Sequence, residues 1–379
     1  MKFILVGGGT GGHINPAIAI ANELKAKLPD AEFLFIANPD GMENTLVPKA
    51  GYPVAHIRVT GFARGFSMHD LVHNVKTVSY LASADFKARK ILRDFHPDAV
   101  IGTGGYLGGP IVMEAQKMKI PTFIHEQNAF PGVTNKLLAK KADIVFLAFE
   151  EAKSRMPEGI RCETVGNPIR QSFLSMTKAE ARRKLGLDDA FTIFSVGGSL
   201  GANKINEIAA DLMAWHSREG KINHIHGYGK HGRENFPKML AERGVDLSKC
   251  PRIDAREYID NMDLCMTAAD LIISRAGAIT ISELEVVGRA SILVPYPYAA
   301  ENHQYHNAKV LENHGAAILV EEKDYQKEDL LEKVKALAAD PAKTDEFGRN
   351  AASLAVYDTA DRICQCILAY LDKKRNGRV

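Results

Sequence analysis

No stretch of this 379-residue sequence approaches the roughly 18 consecutive apolar residues that a membrane-spanning helix needs, so any membrane role is expected to be peripheral. The N-terminal run Lys2–Val6 gives way at once to glycines, too short an apolar stretch for a signal peptide. Cysteine is sparse: five residues, at 162, 250, 265, 364 and 366, with no spacing suited to a zinc site. They read as reduced thiols of a cytosolic protein. There is no D-x-D metal handle, no P-loop, no G-x-S-x-G nucleophile turn and no His/Cys/Asp cluster with ligand spacing, so neither a metal nor a cofactor is expected. Excess charge is missing too. Lys and Arg number 48 against 46 acidic residues, a net +2 that gives no argument for a nucleic-acid partner. What remains, 46% apolar and 25% charged residues, is the composition of a soluble globular chain long enough for two domains.

The order of elements points to an α/β fold. Lys2–Val6, Glu32–Ala37, Val54–Val59, Ala99–Ile101, Thr122–His125 and Ile144–Leu147 read as strands, with helical spacing over Pro16–Leu28 and Leu71–Leu92. The pattern restarts with Phe191–Val196, then Ile222–His226, Leu271–Ser274, Ser291–Val294 and Ala317–Val320, alternating with helices such as Asn203–His216, Ile279–Val287, Gln304–Asn313 and Lys327–Ala339. This is two doubly wound, Rossmann-like halves in tandem. The join falls near Thr164–Arg170, giving a first domain over 1–165 and a second over 166–355. A last helix, within about 356–379, is expected to pack back on the first domain.

Four turns carry the chemistry. Gly7-Gly8-Gly9-Thr10-Gly11-Gly12-His13 follows the first strand, and 102–110 follows the strand ending at Ile101. Gly197–Ala202 follows Val196, and Ser274–Ala278 opens the helix Ile279–Val287. Glycine lets backbone approach a ligand, and N–H groups at a helix start attract anions. Gly7, Gly9 and Gly12 also satisfy G-x-G-x-x-G, but the second strand ends Ile36-Ala37-Asn38, without the acid that holds an NAD ribose. A dehydrogenase is thereby weakened, not removed. Glu283, about one turn into its helix, could accept two ribose hydroxyls or could simply compensate the helix dipole.

The motifs GGGTGGH (7–13), GTGGYLGGP (102–110), HEQN (125–128), GNPIR (166–170), GGSLGANKIN (197–206), YIDNM (258–262), SRAGAITISE (274–283) and ENHQYHNA (301–308) occur in the order found in the MurG family of peptidoglycan-synthesis N-acetylglucosaminyltransferases, which this chain resembles. The resemblance implies a GT-B fold, two Rossmann-like domains facing a cleft. It implies inverting, metal-independent transfer of GlcNAc from UDP-GlcNAc to the MurNAc 4-hydroxyl of lipid I, forming lipid II. By motif match the Ile259 backbone meets uracil and Glu283 the ribose. Ser199, Arg170 and the amides of Ala278, Ile279 and Thr280 face the diphosphate, and Ile281 and Ser282 fall on further donor-binding positions. Gln304, His303 and Asn128 hold the GlcNAc, with Thr10, Gly11 and Gly12 closing over it. Gly104, Gly105, Tyr106, Asn135 and Asn206 fall on acceptor-binding positions, and Glu126 on an acceptor or catalytic one. His303 stands where some members carry Gln, a departure that bears on the sugar hydroxyl contact; Gly227-Tyr228 replaces a more polar pair after His226, so His226 is given no role.

Inversion needs a base for the acceptor hydroxyl. His13 is the expected one, since an imidazole titrates near working pH; Glu126 is its rival, and acceptor diphosphate binding or helix capping by His13 is the alternative. Residues 58–93 hold Arg58, Arg64, Lys76, Lys87, Arg89, Lys90 and Arg93 against Asp70 and Asp85, with Leu71, Val75, Val78 and Ala82 at helical spacing beside Phe62 and Phe66. Periodicity alone favours an ordinary surface helix. The resemblance instead makes this stretch a contact with the anionic cytoplasmic face of the bacterial cell membrane. A hexose transfer to diacylglycerol and a non-catalytic nucleotide-sugar-binding module are the other readings left open.

Overall fold

The computed structural model describes residues 1–60 and 83–377. It divides into two compact units: Met1–Ile169 together with the segment from Asp358 onward, and Arg170–Tyr357. The division falls four residues after the join read from the sequence.

The first domain is built on a fully parallel sheet of β1 (Lys2–Val6), β2 (Glu32–Ala37), β3 (Val54–His56), β4 (Ala99–Gly102), β5 (Thr122–Glu126), β6 (Ile144–Leu147) and β7 (Cys162–Thr164), in the order β3-β2-β1-β4-β5-β6-β7. Both faces are covered, which is why β1 is apolar without alternation. Phe3 and Leu5 point to helices Gly11–Lys27 and Thr359–Arg375. Ile4 and Val6 point to the opposite cluster with Ala84, Ala88 and Leu92 of the helical residues 83–95. The C-terminal helix belongs to this domain by its own chemistry: Ile363, Cys364, Ile367 and Leu371 are buried in the same cluster as Phe3 and Leu5. Each fully buried Ile or Leu is worth about 1.5–3 kcal/mol. Thr359 Oγ1 donates to the Val165 carbonyl at 2.7 Å, and Tyr370 bonds Asp143.

The second domain repeats the plan with β8 (Thr192–Val196), β9 (Asn223–Gly227), β10 (Ile253–Arg256), β11 (Leu271–Ser274), β12 (Ala290–Leu293) and β13 (Ala317–Leu319), ordered β10-β9-β8-β11-β12-β13. In each sheet the strand order reverses once, between β1 and β4 and between β8 and β11. Those are the four strands that the four turns follow. Register brings the turns of a pair to one level, with Val6 opposite Gly102 and Val196 opposite Ser274. Open parallel sheets bind ligands at this switch point.

The structure departs from the sequence reading in places. The short edge strands β7 and β10 were not foreseen. The first helix starts at Gly11, not at Pro16, so His13 lies in its first turn. Proline favours the first helical position, which drew the boundary too late. Residues 71–82 of the expected long helix lie outside the described residues. Among the described residues no helix is long and apolar enough to cross a membrane.

Candidate functional site

The second domain holds a cavity of about 420 Å³ at the carboxyl ends of β8, β9 and β11, lined by Gly197, Ser199, Ile259, Thr280 and Gln304 with Arg170 at its edge. The helices that open onto it, Asn203–His216 and Ala278–Val287, begin at Ala202 and Gly277 with no side-chain cap. The contrast is helix Lys178–Leu185 of the same domain, closed by a reciprocal Thr177–Glu180 capping box. A helix start without its own acidic cap suits an incoming anion.

Glu283 is 7% exposed on helix Ala278–Val287. Burial pushes its carboxyl up to about 7, against the pull of Arg170, whose guanidinium lies 3.3 Å away. This is a side chain poised between acid and carboxylate. Gln304 Oε1 accepts the Tyr296 N–H at 2.9 Å, which turns the amide's donor end elsewhere. Glu301 and Asn302 hold left-handed backbone, φ 52° and 51°, immediately before helix His303–Asn313. Such strain gathers at ligand clamps. His303 Nδ1 bonds the Ala300 carbonyl at 2.6 Å. Ile281 and Ser282 are buried in their helix and, with Ala278, Ile279 and His303, do not line the cavity.

The turn Gly197–Gly201 is held by backbone contact. Gly201 has φ +82°, and a Cβ there would meet the Tyr228 carbonyl oxygen at 2.1 Å. Behind it runs a buried polar chain that the sequence reading missed. His216 Nε2 bonds His224 Nδ1 (2.9 Å), and His224 Nε2 bonds Ser195 Oγ (2.7 Å). Ser195 Oγ in turn bonds His226 Nδ1 (2.7 Å), and His226 Nε2 bonds Asn206 Oδ1 (3.2 Å). Asn206 Nδ2 ends the chain on the Tyr228 carbonyl at 3.0 Å. Burial pushes His216 down to about 4 and His226 to about 3, and His224 well below its ordinary value, so all three are neutral near pH 7. Asn206 is 1% exposed with both ends of its amide engaged inside its own domain.

In the first domain, Gly8 and Gly105 meet backbone to backbone; a Cβ on Gly105, φ +80°, would lie 2.3 Å from the Gly8 carbonyl oxygen. Glu43, 1% exposed and unforeseen, accepts the Gly9 N–H at 2.7 Å and fixes the turn from behind. Thr103 Oγ1 donates to the His13 carbonyl at 2.7 Å. His13 Nδ1 lies 3.1 Å from the Gly8 carbonyl, and Thr10 Oγ1 is 3.3 Å from the same nitrogen. Donation to that carbonyl places the neutral ring's lone pair on Nε2. Gly104, φ +102°, stands against the ring: a Cβ would meet His13 Cδ2 at 2.7 Å. Thr10 is exposed, Gly11 and Gly12 half-buried, and Tyr106 is 42% exposed beside Gly9.

Glu126 is arranged otherwise. It is 1% exposed, and its two oxygens accept from Asn128 N (2.9 Å), Asn128 Nδ2 (3.1 Å), Gly132 N (3.1 Å) and Asn135 Nδ2 (2.8 Å). The structure thus brings Glu126, Asn128 and Asn135 together as a loop knot. Among the described residues no group of His, Cys, Asp and Glu could hold a metal ion.

Residues 3–147 match the model of the glycosyltransferase family 28 N-terminal domain, and residues 192–363 that of its C-terminal domain. Two parallel-sheet Rossmann-like domains, each matched to its own half of that family, define a GT-B glycosyltransferase. The chain is 42% identical over 378 residues, 100% of both chains, to the UDP-N-acetylglucosamine–N-acetylmuramyl-(pentapeptide) pyrophosphoryl-undecaprenol N-acetylglucosamine transferase of Acetivibrio thermocellus. It is 42% identical over 372 residues to the enzyme of that name from Caldanaerobacter subterraneus subsp. tengcongensis, covering 97% of this chain and 99% of the relative. The crystal structure of Acinetobacter baumannii MurG superposes with a TM-score of 0.76 at 28% identity, over 97% of this chain and 99% of that one. The chain therefore belongs to the MurG family of N-acetylglucosaminyltransferases. The fold alone would not say so: a UDP-GlcNAc 2-epimerase from Neisseria meningitidis shares it, with a TM-score of 0.66 at 14% identity over 97% of this chain and all of that one.

Proposed function

We propose that this chain transfers GlcNAc from UDP-GlcNAc to the MurNAc 4-hydroxyl of lipid I, inverting the anomeric carbon without a metal and giving lipid II. The observation that carries the reading is the second-domain cavity. It gathers Arg170, Ser199, Ile259, Thr280 and Gln304, five positions read as donor contacts from their motifs, over an uncapped helix start. In this assignment the Ile259 backbone meets uracil and ionised Glu283 accepts the ribose hydroxyls. Ser199, Arg170 and the helix start at 278–280 face the diphosphate, whose charge grows as the C1–O bond breaks. Gln304 donates its amide to the sugar, and Thr10, Gly11, Gly12 and Asn128 are assigned as donor contacts from their motifs.

His13 is the base. The acceptor O4 bonds to C1 as UDP leaves with the electron pair, and the O4 proton passes to Nε2, the nitrogen left unprotonated by the Gly8 contact. Glu126, with four donors on its two oxygens, is assigned to holding the loop 126–135 through Asn128 and Asn135. Asn206 is assigned to the turn behind the donor, and Gly104, Gly105 and Tyr106 to the acceptor. Membrane contact by the first domain has partial support. Phe86 is 73% exposed on the helical residues 83–95, with Lys87, Lys90 and Arg93 also exposed. Arg58, Arg89 and Lys90 are already paired with Asp40, Glu114 and Asp94, which reduces the net charge offered. Arg64, Lys76 and the apolar positions 62–82 lie outside the described residues.

The test is purified protein with UDP-GlcNAc and a short-chain lipid I analogue, following UDP and product. Release of UDP with formation of the disaccharide is expected, and His13→Ala is expected to lose about 10²–10⁴-fold in kcat. No turnover, or turnover only with diacylglycerol as acceptor, would refute the assignment.

A further inference from the structure

Gln127 lies two residues from the strand-end histidine His125 and is 2% exposed. Its amide orientation is dictated from one side. His125 Nε2 donates to the Gly166 carbonyl at 2.9 Å, so His125 Nδ1 is an acceptor, and Gln127 Nε2 donates to it at 2.9 Å and to the His125 carbonyl at 3.1 Å. Burial, pushing His125 down to about 4, keeps that ring neutral and the tautomer fixed. The amide therefore cannot be flipped without setting two acceptors against an oxygen. Its Oε1 is forced the other way, where it is buried without a hydrogen-bond partner. There it meets the same space as His13: a Cβ on Gly104 would lie 3.1 Å from Gln127 Oε1, 3.1 Å from His13 Nε2 and 2.7 Å from His13 Cδ2. Only a residue without a side chain leaves that space open.

We propose that Gln127 is a positioning residue for His13: its anchored side-chain oxygen faces the Cδ2–Nε2 edge of the imidazole across Gly104 and holds the ring, and the positive charge the ring gains, in place. A buried acceptor left unmade is costly, and a cation is the group that repays it best. The proposal rests on His13 being the base. Titratable groups reach this turn from other elements. Glu43 faces the turn from the start of helix Glu43–Lys49 and Tyr106 from the loop after β4, while His125 and Glu126 lie at the end of β5. Glu126 is committed to its own loop, and His125 stays neutral.

The experiment uses the full-length protein as wild type, Gln127→Met and Gln127→Glu, with histidine labelled for NMR. His13 is assigned by loss of its signal in His13→Ala. In Gln127→Glu the buried acid is expected to keep its proton, donating to His125 Nδ1 as the amide does and leaving its carbonyl oxygen where Oε1 stood, so the titration midpoint of His13 is expected to stay at the wild-type value. In Gln127→Met it is expected to fall, and kcat to drop about tenfold with the KM for UDP-GlcNAc unchanged. The acid limb of the kcat/KM profile should move with the NMR midpoint. A variant that merely loosened the fold would lower the melting temperature and raise KM without moving the midpoint, and that outcome overturns the proposal. So does a midpoint identical in all three proteins. If His13→Ala keeps full turnover, the base assignment fails while the NMR midpoints still decide whether Gln127 acts on the ring.

Discussion

Glu283 offers the sharpest test of donor recognition, because the group assigned to the ribose is the one whose charge the fold makes uncertain. A carboxyl pushed up to about 7 is ionised in about a tenth of molecules at pH 6, half at pH 7 and about nine-tenths at pH 8. If the ribose hydroxyls bind only the carboxylate, apparent affinity must rise about tenfold from pH 6 to pH 8, about 1.4 kcal/mol, and level off above. The sign is fixed: the binding form is the deprotonated one, so binding at pH 6 expels close to one proton and binding at pH 8 almost none. UDP-GlcNAc is the ligand to use, since free UDP carries a phosphate that itself titrates near 6. Calorimetry in buffers of different ionisation enthalpy reads both the affinity and the proton count. Glu283→Gln should bind more weakly, by about 1.5–3 kcal/mol for a lost charge-assisted hydrogen bond, and its affinity should be flat between pH 6 and 8. Arg170→Ala removes the cation that opposes the shift, so it should move the transition to higher pH. A wild-type affinity that does not change over this range, or one that rises toward pH 6, would refute the reasoning.

Two further outcomes follow from the second domain. Gly201→Val places a branched side chain at φ +82° with its Cβ 2.1 Å from the Tyr228 carbonyl oxygen, and should weaken UDP-GlcNAc binding by more than tenfold while costing about 1–3 kcal/mol in denaturant unfolding. The neutral His216, His224 and His226 bind no proton in the folded domain as pH falls from about 6.5, whereas the unfolded chain does; at pH 5.5 each subtracts about 1.4 kcal/mol, so urea midpoints should fall by the equivalent of about 4 kcal/mol for the three between pH 7 and 5.5, and midpoints constant over that range would contradict the neutral chain.

What the sequence shows and what it hides divides along a physical line. Strands β1, β6 and β11 are readable residue by residue because a parallel strand buried on both faces is a short unbroken apolar run. The edge strands β7 and β10 escape because one side of each is solvated; Cys162-Glu163-Thr164 and Ile253-Asp254-Ala255-Arg256 carry charge and lack that signature. The glycine turns are readable for the opposite reason: close backbone approach leaves a compositional trace wherever it occurs. Groups that act across the fold leave none. Glu43 reaches the Gly9 N–H from 34 residues away, and nothing local to Met42-Glu43-Asn44 says so. Gln127 sat inside a motif read for its neighbours, and its meaning lies in which way its amide is forced to face.

The polar chain behind the donor turn shows how far register carries function. His224 and His226 alternate on β9 and so share one face of the strand, a pattern that sequence alone would assign to a solvated surface. Pairing sets Ser195 of β8 opposite His226, in the middle of the sheet, where every polar group needs a partner. The serine hydroxyl joins the two rings, and Asn206 carries the chain on to the Tyr228 carbonyl, the atom against which Gly201 closes. The Gly197–Gly201 turn is therefore braced from behind by a chain of buried hydrogen bonds. Asn206, expected from its motif to contact the acceptor, is bonded instead to His226 and to the Tyr228 carbonyl, so the role assigned to it is to shape that turn. Asn206→Leu should accordingly change the KM for UDP-GlcNAc together with thermal stability, whereas a direct acceptor contact would change the KM for lipid I alone.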